Sequence, residues 1–529
     1  MPARALKAAD LPDDVERLKA LLLAQADAYE QELALMREKL NLALAKRFGR
    51  SSEQVPAAQL GLFNEVEQLA AEPTPDAEQD ATTEIAVPAH TRRRGGRKPL
   101  PDFLPRVRIQ HDLPEAEKTC TCGCQLTRIG EDISEQLDVI PAQVRVLQHV
   151  RGKYACKACE ETIATVPLPA QPIPKSNASP GLLAHIATAK YCDALPLARQ
   201  EQILSRAGID LPRATTARWM IQLAELITPV VERLSACLLA YDILQMDETR
   251  IQVNKEAGRD PSSQSYLWVQ RGGPPGEPVV LFHYEPSRGQ DAAGALLKRY
   301  RGYLQADGFE VYAALAARCD ALHLIGCLAH ARRKFHEAHT AQGKKRKAGK
   351  AKQALDLIGQ LYGIEKRLRD KTPEQRHAER ARKAKPIWEA FRAWLDQALP
   401  EVPPSTLTGK ALAYLHNQWP KLIGYLDDGR LEIDNNACER AIRPFVIGRR
   451  NWLFADTPAG ATASARLYSL IETAKANGHE PYRYLRHLFT ELPKATRPEQ
   501  IEALLPIHLA RRRCRRPERR GWASWSAYQ

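Results

Sequence analysis

The sequence contains no run of apolar residues long enough to cross a membrane. A spanning helix needs roughly 18–20 consecutive apolar residues, and even the segment ITPVVERLSACLLAYDIL carries Glu232 and Arg233. The N-terminal residues MPARALKAADLPDD lack the apolar core of a signal peptide. The glycine-rich loop GxxxxGK[ST], which binds nucleotide phosphates, is also absent, so ATP is not implied. These absences predict a cytoplasmic protein with no membrane partner.

The charge of the chain is basic and unevenly distributed. There are 77 Lys and Arg against 63 Asp and Glu, a net charge of +14. Residues 1–90 contain nine basic and 16 acidic side chains, so residues 91–529 carry +21. A strongly basic region that follows an acidic N-terminal segment favours a polyanionic partner, and nucleic acid is the first candidate. Solvated surface charge is the simpler alternative.

Residues 13–48 contain no proline or glycine and are rich in Leu, Ala, Glu and Lys, which predicts one long helix. Apolar residues recur along this helix at seven-residue spacing in two seams, Val15, Leu22, Tyr29, Met36 and Ala43, and Ala26, Leu33 and Leu40. Lys19 and Arg47 interrupt the second seam at its ends. The pattern indicates a short coiled coil that dimerises the protein. A helix packed on its own chain is the alternative.

Five of the 11 cysteines lie in two clusters. In a reducing cytosol, clustered cysteines indicate a metal site and not a disulfide framework. Cys156 and Cys159 form one half-site, and the segment CTCGC supplies Cys120 with either Cys122 or Cys124. Four thiolates suit tetrahedral Zn²⁺, and the alternating apolar stretches around them predict a small β-rich zinc ribbon. Backbone reach favours Cys122, although the intervening glycine leaves Cys124 as the alternative.

Three helix-like segments follow the cysteine clusters. The turn at Gly208, followed by a helix start rich in Thr and Arg, is typical of a helix-turn-helix motif. In that interpretation the second helix presents Arg213, Thr215, Thr216 and Arg218 to a DNA groove. A plain helical hairpin is the alternative.

From residue 242 the pattern changes to strands. ILQMDETRIQV, SYLWVQRG and PVVLFHYEPS predict three strands in succession, after which helices and strands alternate. This is the order of a ribonuclease-H-like mixed sheet, in which Asp247 lies on the first strand and Asp307 ends the fourth. Those two strands would be neighbours at the sheet centre. Because Asp247 and Glu248 point to opposite faces of a strand, only one can enter the site, and the match to this fold selects Asp247.

A site that binds two Mg²⁺ or Mn²⁺ ions about 4 Å apart needs a further carboxylate. The segment LEIDNNACERAIRPFVIGRRNWLF supplies it. Asp434 and Asn435 resemble a helix N-cap, and Glu439 and Arg443 then share one face of the helix. Arg440 and Arg443 beside a carboxylate suit a site that handles phosphates. A salt-bridged surface helix is the alternative.

A Cys-x-x-His motif lies between the second and third acids, just before a long helix-rich stretch. Cys327 and His330 are followed by Arg332, Arg333 and Lys334. These two ligand-type residues have no evident partner pair for a metal. We therefore expect the motif to position the helix of the third acid or to contact DNA phosphates.

Residues 340–430 are dominated by helix formers. They are too many for an ordinary loop and predict a helical subdomain of two long amphipathic helices, inserted into the sheet domain. A run of Lys and Arg from Lys344 to Lys352 lies near its start. We expect this run to contact phosphates without regard to base sequence.

Four segments in order resemble the transposase of the insertion sequence 66 family. They are GEDISEQLDVIPAQVRVLQHVRGKYACKACE, RGYLQADGFEVY, AHARRKF and GRLEIDNNACERAIRPFVIGRRNWLF. The resemblance implies a DDE transposase that moves its own element by metal-dependent phosphoryl transfer. The family's catalytic carboxylates would be Asp247, Asp307 and Glu439, and small accessory proteins encoded beside the chain would be partners. The crowded CTCGC cluster and the Arg-rich tail from Arg511 depart from the family pattern.

The predicted architecture is multidomain α+β. The expected domains are a coiled-coil helix at 1–50, a linker with a basic knot at 51–100, a zinc-binding domain at 101–170, a helix-turn-helix region at 171–235, a ribonuclease-H-like α/β catalytic domain at 236–480 with its helical insertion at 340–430, and a C-terminal segment with a basic tail at 481–529. A DNA-binding regulator with an inert catalytic domain, or a nuclease without strand transfer, would share these features.

Overall fold

The structure is a computed structural model. It describes residues 14–48, 144–151, 153–155, 163–165, 167–298, 300–341 and 349–509. The chain divides into two units, Met1–Pro73 with Ala170–Leu509, and Thr74–Pro169 with Ala510–Gln529. Among the helices in the described ranges, none is both long and apolar enough to cross a membrane.

The first elements along the chain are one helix and one short hairpin, namely α1 (Val15–Phe48), β1 (Lys153–Ala155) and β2 (Ile163–Thr165). The two strands pair antiparallel. The connection between them, residues 156–162, contains Cys156 and Cys159. These two cysteines and the CTCGC cluster lie outside the described residues, so the zinc ligands stay a prediction.

Four helices follow: α2 (Pro180–Tyr191), α3 (Leu197–Arg206), α4 (Arg213–Leu226) and α5 (Thr228–Ala240). Helix α2 begins with a hydroxyl cap, because Ser179 Oγ accepts a hydrogen bond from the Leu182 amide at 3.1 Å. Gly208 lies in the α3–α4 turn with a φ of +78°, a conformation that glycine adopts without steric cost. The helices predicted from residue 180 onward are therefore present.

A five-stranded mixed sheet forms the centre of the first unit. Its strands are β3 (Ile243–Gln252), β4 (Gln264–Gly272), β5 (Val279–Glu285), β6 (Gly302–Gln305) and β7 (Leu322–Ile325). Their spatial order is β5-β4-β3-β6-β7. Strand β4 pairs antiparallel with both β3 and β5, whereas β6 is parallel to β3 and β7 is parallel to β6. The longest strand, β3, is central, and its apolar residues Leu244, Met246 and Ile251 are buried.

The helices between and after these strands alternate with them as predicted: α6 (Gln290–Leu297), α7 (Glu310–Ala316) and α8 (Leu328–Ala341). Next come α9 (Lys350–Leu368), α10 (Pro373–Glu379), a π-helical turn (Arg380–Ala384), α11 (Lys385–Glu401) and α12 (Leu407–Ile423). These helices and α8 pack around one apolar core, which includes Phe335, Trp388 and Phe391 and extends to Ile325 on the edge strand β7. The two predicted long helices are present, the second as the continuous run of α10, the π-helical turn and α11, whereas α12 was not predicted.

The chain ends, within the described ranges, with α13 (Asn436–Trp452), α14 (Pro458–Ala476), α15 (Pro481–Glu491) and α16 (Pro498–Glu502). Helix α14 covers the edge strand β5. Ser469 Oγ accepts a hydrogen bond from the Phe282 amide at 2.8 Å, and Thr473 Oγ1 accepts one from the Val280 amide at 3.0 Å. These hydroxyls satisfy backbone groups that an open sheet edge would expose.

Helix α1 lies against the helices α8 to α12, which are called the helical block below. Asn41 donates a hydrogen bond to the carbonyl of Ala341 at the end of α8, and Glu38 accepts one from the amide of Leu407, both at 3.0 Å. The face that makes these contacts also includes Leu35, which is half-buried. The predicted seam lies on another face and is exposed, including Val15, Leu22, Tyr29, Leu33, Met36 and Leu40. The helix therefore packs on its own chain and still leaves the seam uncovered.

Candidate active site

Two of the predicted acids follow paired positions on neighbouring strands. Gln245 of β3 lies opposite Gln305 of β6 in the parallel register, and their side chains are joined by a hydrogen bond of 3.0 Å. Asp247, inside β3, and Asp307, just after the end of β6, each come two residues later, so they lie at the same level along the two strands. Residues 60 positions apart in sequence are thereby brought side by side, which is why the acids depend on this strand pairing.

The third acid, Glu439, lies in the first turn of α13 and is buried. The charges of the three acids affect one another. Burial raises the pKa of Asp247 well above its usual range, and the nearby charges of Glu248, Glu439 and Asp307 raise it further. Burial also raises the pKa of Glu439, an effect that the positive charge of Arg333 opposes. A bound cation would offset the repulsion between these clustered carboxylates.

Asn435 fixes the start of α13 relative to the sheet. Its side-chain amide donates to the Met246 carbonyl on β3 at 2.9 Å, next to Asp247. Its backbone amide donates to Cys327 Sγ at 3.2 Å. Asn435 does not cap the helix through its side chain; the carboxylate of Asp434 instead accepts from the Asn436 amide. The sequence predicted a cap here and missed that Asn435 ties Glu439 to the strand of Asp247.

The Cys-x-x-His motif faces Glu439. Ligand atoms of Cys327, His330 and Glu439 lie within 4.8 Å of one another. His330 Nδ1 is 3.6 Å from one carboxylate oxygen of Glu439, and Arg333 Nη2 is 3.8 Å from the other. Burial and the charge of Arg333 lower the pKa of His330 to about 4, so the imidazole is neutral near pH 7. The sequence predicts that this motif positions the helix of the third acid or contacts DNA phosphates, and these contacts agree with the first role.

The donor atoms decide which metal each group of residues fits. Asp247, Asp307 and Glu439 offer carboxylate oxygens, the ligands that Mg²⁺ and Mn²⁺ prefer. Cys327 Sγ already accepts a hydrogen bond from the Asn435 amide at 3.2 Å, and burial raises the pKa of its thiol well above the usual range. Glu439 Oε1 and Asn435 Oδ1 are buried oxygens without a hydrogen-bond partner among the described residues. The three acids therefore fit a hard cation better than the Cys-x-x-His motif fits a soft one.

Glu248, the residue after Asp247 on β3, also lies close to the acids. Its carboxylate, 2% exposed, accepts hydrogen bonds from Arg288 Nε at 2.7 Å and from the Tyr312 hydroxyl at 2.8 Å. The Arg288 guanidinium lies 3.8 Å from the centre of the Phe309 ring. The Glu248 carboxylate is thus bound by protein donors, although burial and the charge of Asp307 raise its pKa. The alternation of strand faces predicts that only one of the two acids enters the site, the match to the fold selects Asp247, and that choice stays a prediction.

The helical block contacts the site directly. The Tyr362 hydroxyl of α9 donates to Asp434 at 2.8 Å. Tyr414 of α12 lies so close to Gly308 that a Cβ atom there would come within 2.7 Å of the tyrosine hydroxyl. Gly308 directly follows Asp307, so the block packs against the loops of two acids.

The predicted DNA-contacting residues differ in their accessibility. Arg213 and Arg218 are exposed on α4, but Thr216 is buried and its hydroxyl donates to the Arg213 carbonyl, so its predicted contact with a groove is wrong. Helix α4 turns this face toward the protein because it packs against α14. The remaining candidates are Arg332, Lys334 and Arg440, which are exposed, and Arg333 and Arg443, which are half-buried. Lys334 lies over the ring of Tyr414 at 4.7 Å.

Four family models match the chain in order. The model described as Transposase IS66 family matches residues 175–463. The zinc-finger binding domain of transposase IS66 matches 117–160, the IS66 C-terminal element matches 469–507, and the model described as Transposase C of IS166 homeodomain matches 35–109. The class that these matches define is that of insertion-sequence transposases. Within it, the chain belongs to the Transposase IS66 family, because the first model covers more than half of its length.

Full-length relatives support the same assignment. The uncharacterized protein y4jD of Sinorhizobium fredii is 30% identical over 517 residues, which cover 95% of this chain and 98% of the relative. The uncharacterized protein y4qI of the same organism is 31% identical over 539 residues, with coverage of 95% and 98%. No solved structure matches the chain significantly. The resemblance to the insertion sequence 66 family is therefore confirmed, and the zinc-finger match supports bound Zn²⁺.

Proposed function

We propose that the chain is a DNA transposase that cleaves the ends of its element and joins the freed 3′-hydroxyl to target DNA. Asp247, Asp307 and Glu439 would bind Mg²⁺ or Mn²⁺. The observation that carries this proposal is the register of β3 and β6, which supports one shared site together with the effect of the Glu439 and Asp307 charges on the pKa of Asp247. The family assignment supplies the substrate class, DNA.

A ribonuclease-H-like fold is the fold that best accounts for the sheet. The order β5-β4-β3-β6-β7, with three antiparallel strands followed by two parallel ones, supports it. Helices α9 to α12 lie between the second acid and the third along the chain. We therefore propose that they form a helical insertion in a DDE catalytic domain.

The protein groups around the acids have separate roles in this proposal. When bound, the cations activate the attacking oxygen and stabilise the leaving one. Asn435 holds Glu439 beside Asp247 through the strand β3. Arg333, 3.8 Å from Glu439, supplies positive charge at the edge of the acid cluster, where a DNA phosphate would enter. Tyr362 and Tyr414 fix the loops on either side.

DNA recognition would be divided among several regions. The zinc domain, with Cys120, Cys122 or Cys124, Cys156 and Cys159 as ligands, and the α3–α4 pair would read the element end. Arg213 and Arg218 support this role because both are exposed on α4. Arginines and lysines of α8 and α13, namely Arg332, Arg333, Lys334, Arg440 and Arg443, would contact phosphates near the acids.

The exposed seam of α1 supports assembly. Leu22, Tyr29 and Met36 recur every seven residues and are 48–58% exposed, although α1 also packs on the helical block. A second copy of the helix would cover this seam and make the transposase a dimer or higher oligomer.

Leu22→Glu with Met36→Glu should yield monomers in sedimentation experiments. The matched control, Leu23→Glu, changes an equally exposed leucine outside the seam and should leave assembly intact. Small accessory proteins of the same element remain candidate partners.

The test of the proposed function is a reaction with end-labelled duplexes that carry the termini of the chain's own element, with Mg²⁺ or Mn²⁺. Nicked DNA together with joined product would support a transposase. Nicked DNA without joined product would indicate a nuclease. Binding without either product would indicate a regulator with an inert catalytic domain.

A further inference from the structure

Two large apolar side chains stand exposed where α13 ends. Leu453 is 64% exposed and Phe454 is 44% exposed. Leu453 also has a φ of +64°, a conformation that is strained for any residue with a branched side chain. Strain and apolar exposure both cost stability, so their coincidence in one turn points to a functional surface. We call Leu453 and Phe454 the apolar tip.

Backbone pairing holds the apolar tip in place. The Ala455 amide donates to the Gln252 carbonyl at 2.9 Å, and the Asn254 amide donates to the Ala455 carbonyl at 3.0 Å. Trp452, just before the tip, packs edge-on against Phe445 with ring centres 5.3 Å apart. These contacts hold the apolar tip in a fixed position where the ends of β3 and α13 meet.

The same two elements carry two of the acids, which sets the distance between tip and site. From Glu439 to Leu453 is 14 residues of helix, about 21 Å at 1.5 Å per residue. From Asp247 to Val253, which pairs with Ala455, is six residues of strand, about 20 Å at 3.3 Å per residue. Both routes place the tip about 20 Å from the acid cluster. On B-form DNA this separation corresponds to about six base pairs at 3.4 Å each.

A basic face of α13 leads from the acids toward the tip. Positions 440, 443, 447 and 450 fall within about 80° of arc on a helix of 3.6 residues per turn. They are Arg440, Arg443, Ile447 and Arg450, with Arg440 and Arg450 exposed and Ile447 40% exposed. The acid of this helix, Glu439, is buried. This arginine stripe is complementary to a phosphate backbone and favours DNA over a second protein as the occupant.

We propose that the apolar tip is a wedge that inserts between bases of the element end, about six base pairs from the cleaved phosphate. The inference deepens the proposed function and depends on it, because the DNA must already lie across the acids. Leu and Phe are side chains that proteins insert between base steps, where they unstack the bases and bend the duplex. Arg440, Arg443 and Arg450 would hold the backbone on either side while Leu453 and Phe454 enter.

The experiment uses the full chain and element-end duplexes with 2-aminopurine at successive positions from three to nine base pairs from the cut. Mg²⁺ and Mn²⁺ are left out, without any chelator, so that the DNA stays intact and the protein keeps its zinc. Unstacking should raise the fluorescence several-fold at a position near six base pairs. Leu453→Gly should abolish the rise without damaging the fold, because glycine accepts the positive φ that leucine strains to adopt. Phe454→Ser should reduce it, and Leu23→Ser, an equally exposed leucine on α1, should leave it unchanged.

Separate outcomes distinguish a failed wedge from a failed function. Wild-type protein that cleaves element ends in Mg²⁺ but gives no local fluorescence rise overturns the wedge alone. An undiminished rise in Leu453→Gly and Phe454→Ser also overturns it. Loss of self-association in these variants, with the fluorescence rise retained, would assign the tip to a protein interface. Wild-type protein that neither binds nor cleaves element ends contradicts the proposed function and the wedge together.

Discussion

Cys327 Sγ accepts a hydrogen bond from the backbone amide of Asn435, across 3.2 Å. The contact joins the start of α8 to the start of α13, the helix that carries Glu439. Cys327→Ala leaves a buried amide unpaired and should lower the free energy of unfolding by about 1–3 kcal/mol. Because the start of α13 loosens, cleavage should fall about tenfold or more, equivalent to about 1.4 kcal/mol in the barrier.

Cys327→Ser is the matched control, since its hydroxyl also accepts a hydrogen bond and should retain more stability and activity than alanine. Denaturant unfolding and cleavage rates measure both quantities. Equal behaviour of the alanine variant and the wild type would show that the contact does not position Glu439.

Asp247→Asn should abolish cleavage and leave DNA binding near the wild-type level, because the lost charge faces the acid cluster and not the DNA. In metal-free buffer the variant should be more thermally stable than the wild type, since the repulsion with Glu439 and Asp307 is relieved. Addition of Mg²⁺ should stabilise the wild type and have little effect on the variant. Asp260→Asn, which changes an exposed carboxylate, serves as the control. A variant that keeps both cleavage and metal stabilisation would remove Asp247 from the site.

The protein should contain one zinc ion per chain, bound by the two cysteine clusters. Elemental analysis of protein purified without chelator should find it, and Cys156→Ser should lose it. Cys192→Ser changes a half-buried cysteine outside the clusters and should retain the metal. Zinc retained by the Cys156→Ser variant, or absent from the wild type, contradicts the predicted ligands.

Two basic regions should contribute differently to DNA binding. Replacing Arg213 and Arg218 should reduce the preference for element ends over random DNA, because both side chains are exposed on the predicted recognition helix. Neutralising the run from Lys344 to Lys352 should weaken binding to both DNAs alike and flatten the salt dependence, since fewer counterions are released. Binding isotherms at several salt concentrations separate the two effects. Loss of end preference in the Lys344–Lys352 variant alone would reverse the assignment.

The central sheet could be predicted from sequence because its pattern is local. The strands around Asp247 and Asp307 are short, β-branched segments between turns, and their order fixed which acids would be neighbours. Glu439 could be placed on a helix because Asp434 and Asn435 signal a helix start. What could not be predicted was the partner of each polar group, since a partner is chosen by tertiary packing and not by local pattern.

Arg380 shows this limit most clearly. In the sequence it lies in the charged segment PEQRHAERARKAK, at the start of the second predicted long helix. In the structure it is fully buried in the π-helical turn, paired with Glu365 at 2.7 Å and bonded to the carbonyls of Tyr425, Asp428 and Leu431. Nothing in the local pattern distinguishes this arginine from its exposed neighbours. The same holds for Cys327, whose partner Asn435 is 108 residues away.

One reaction tests the three acids together: wild type, Asp247→Asn, Asp307→Asn and Glu439→Gln are each incubated with labelled element ends, Mg²⁺ and a target plasmid. Nicked and joined DNA should form with the wild type alone, while all four proteins bind the ends similarly. Joined product from any of the three variants at the wild-type rate would contradict the assignment of these acids to one catalytic site.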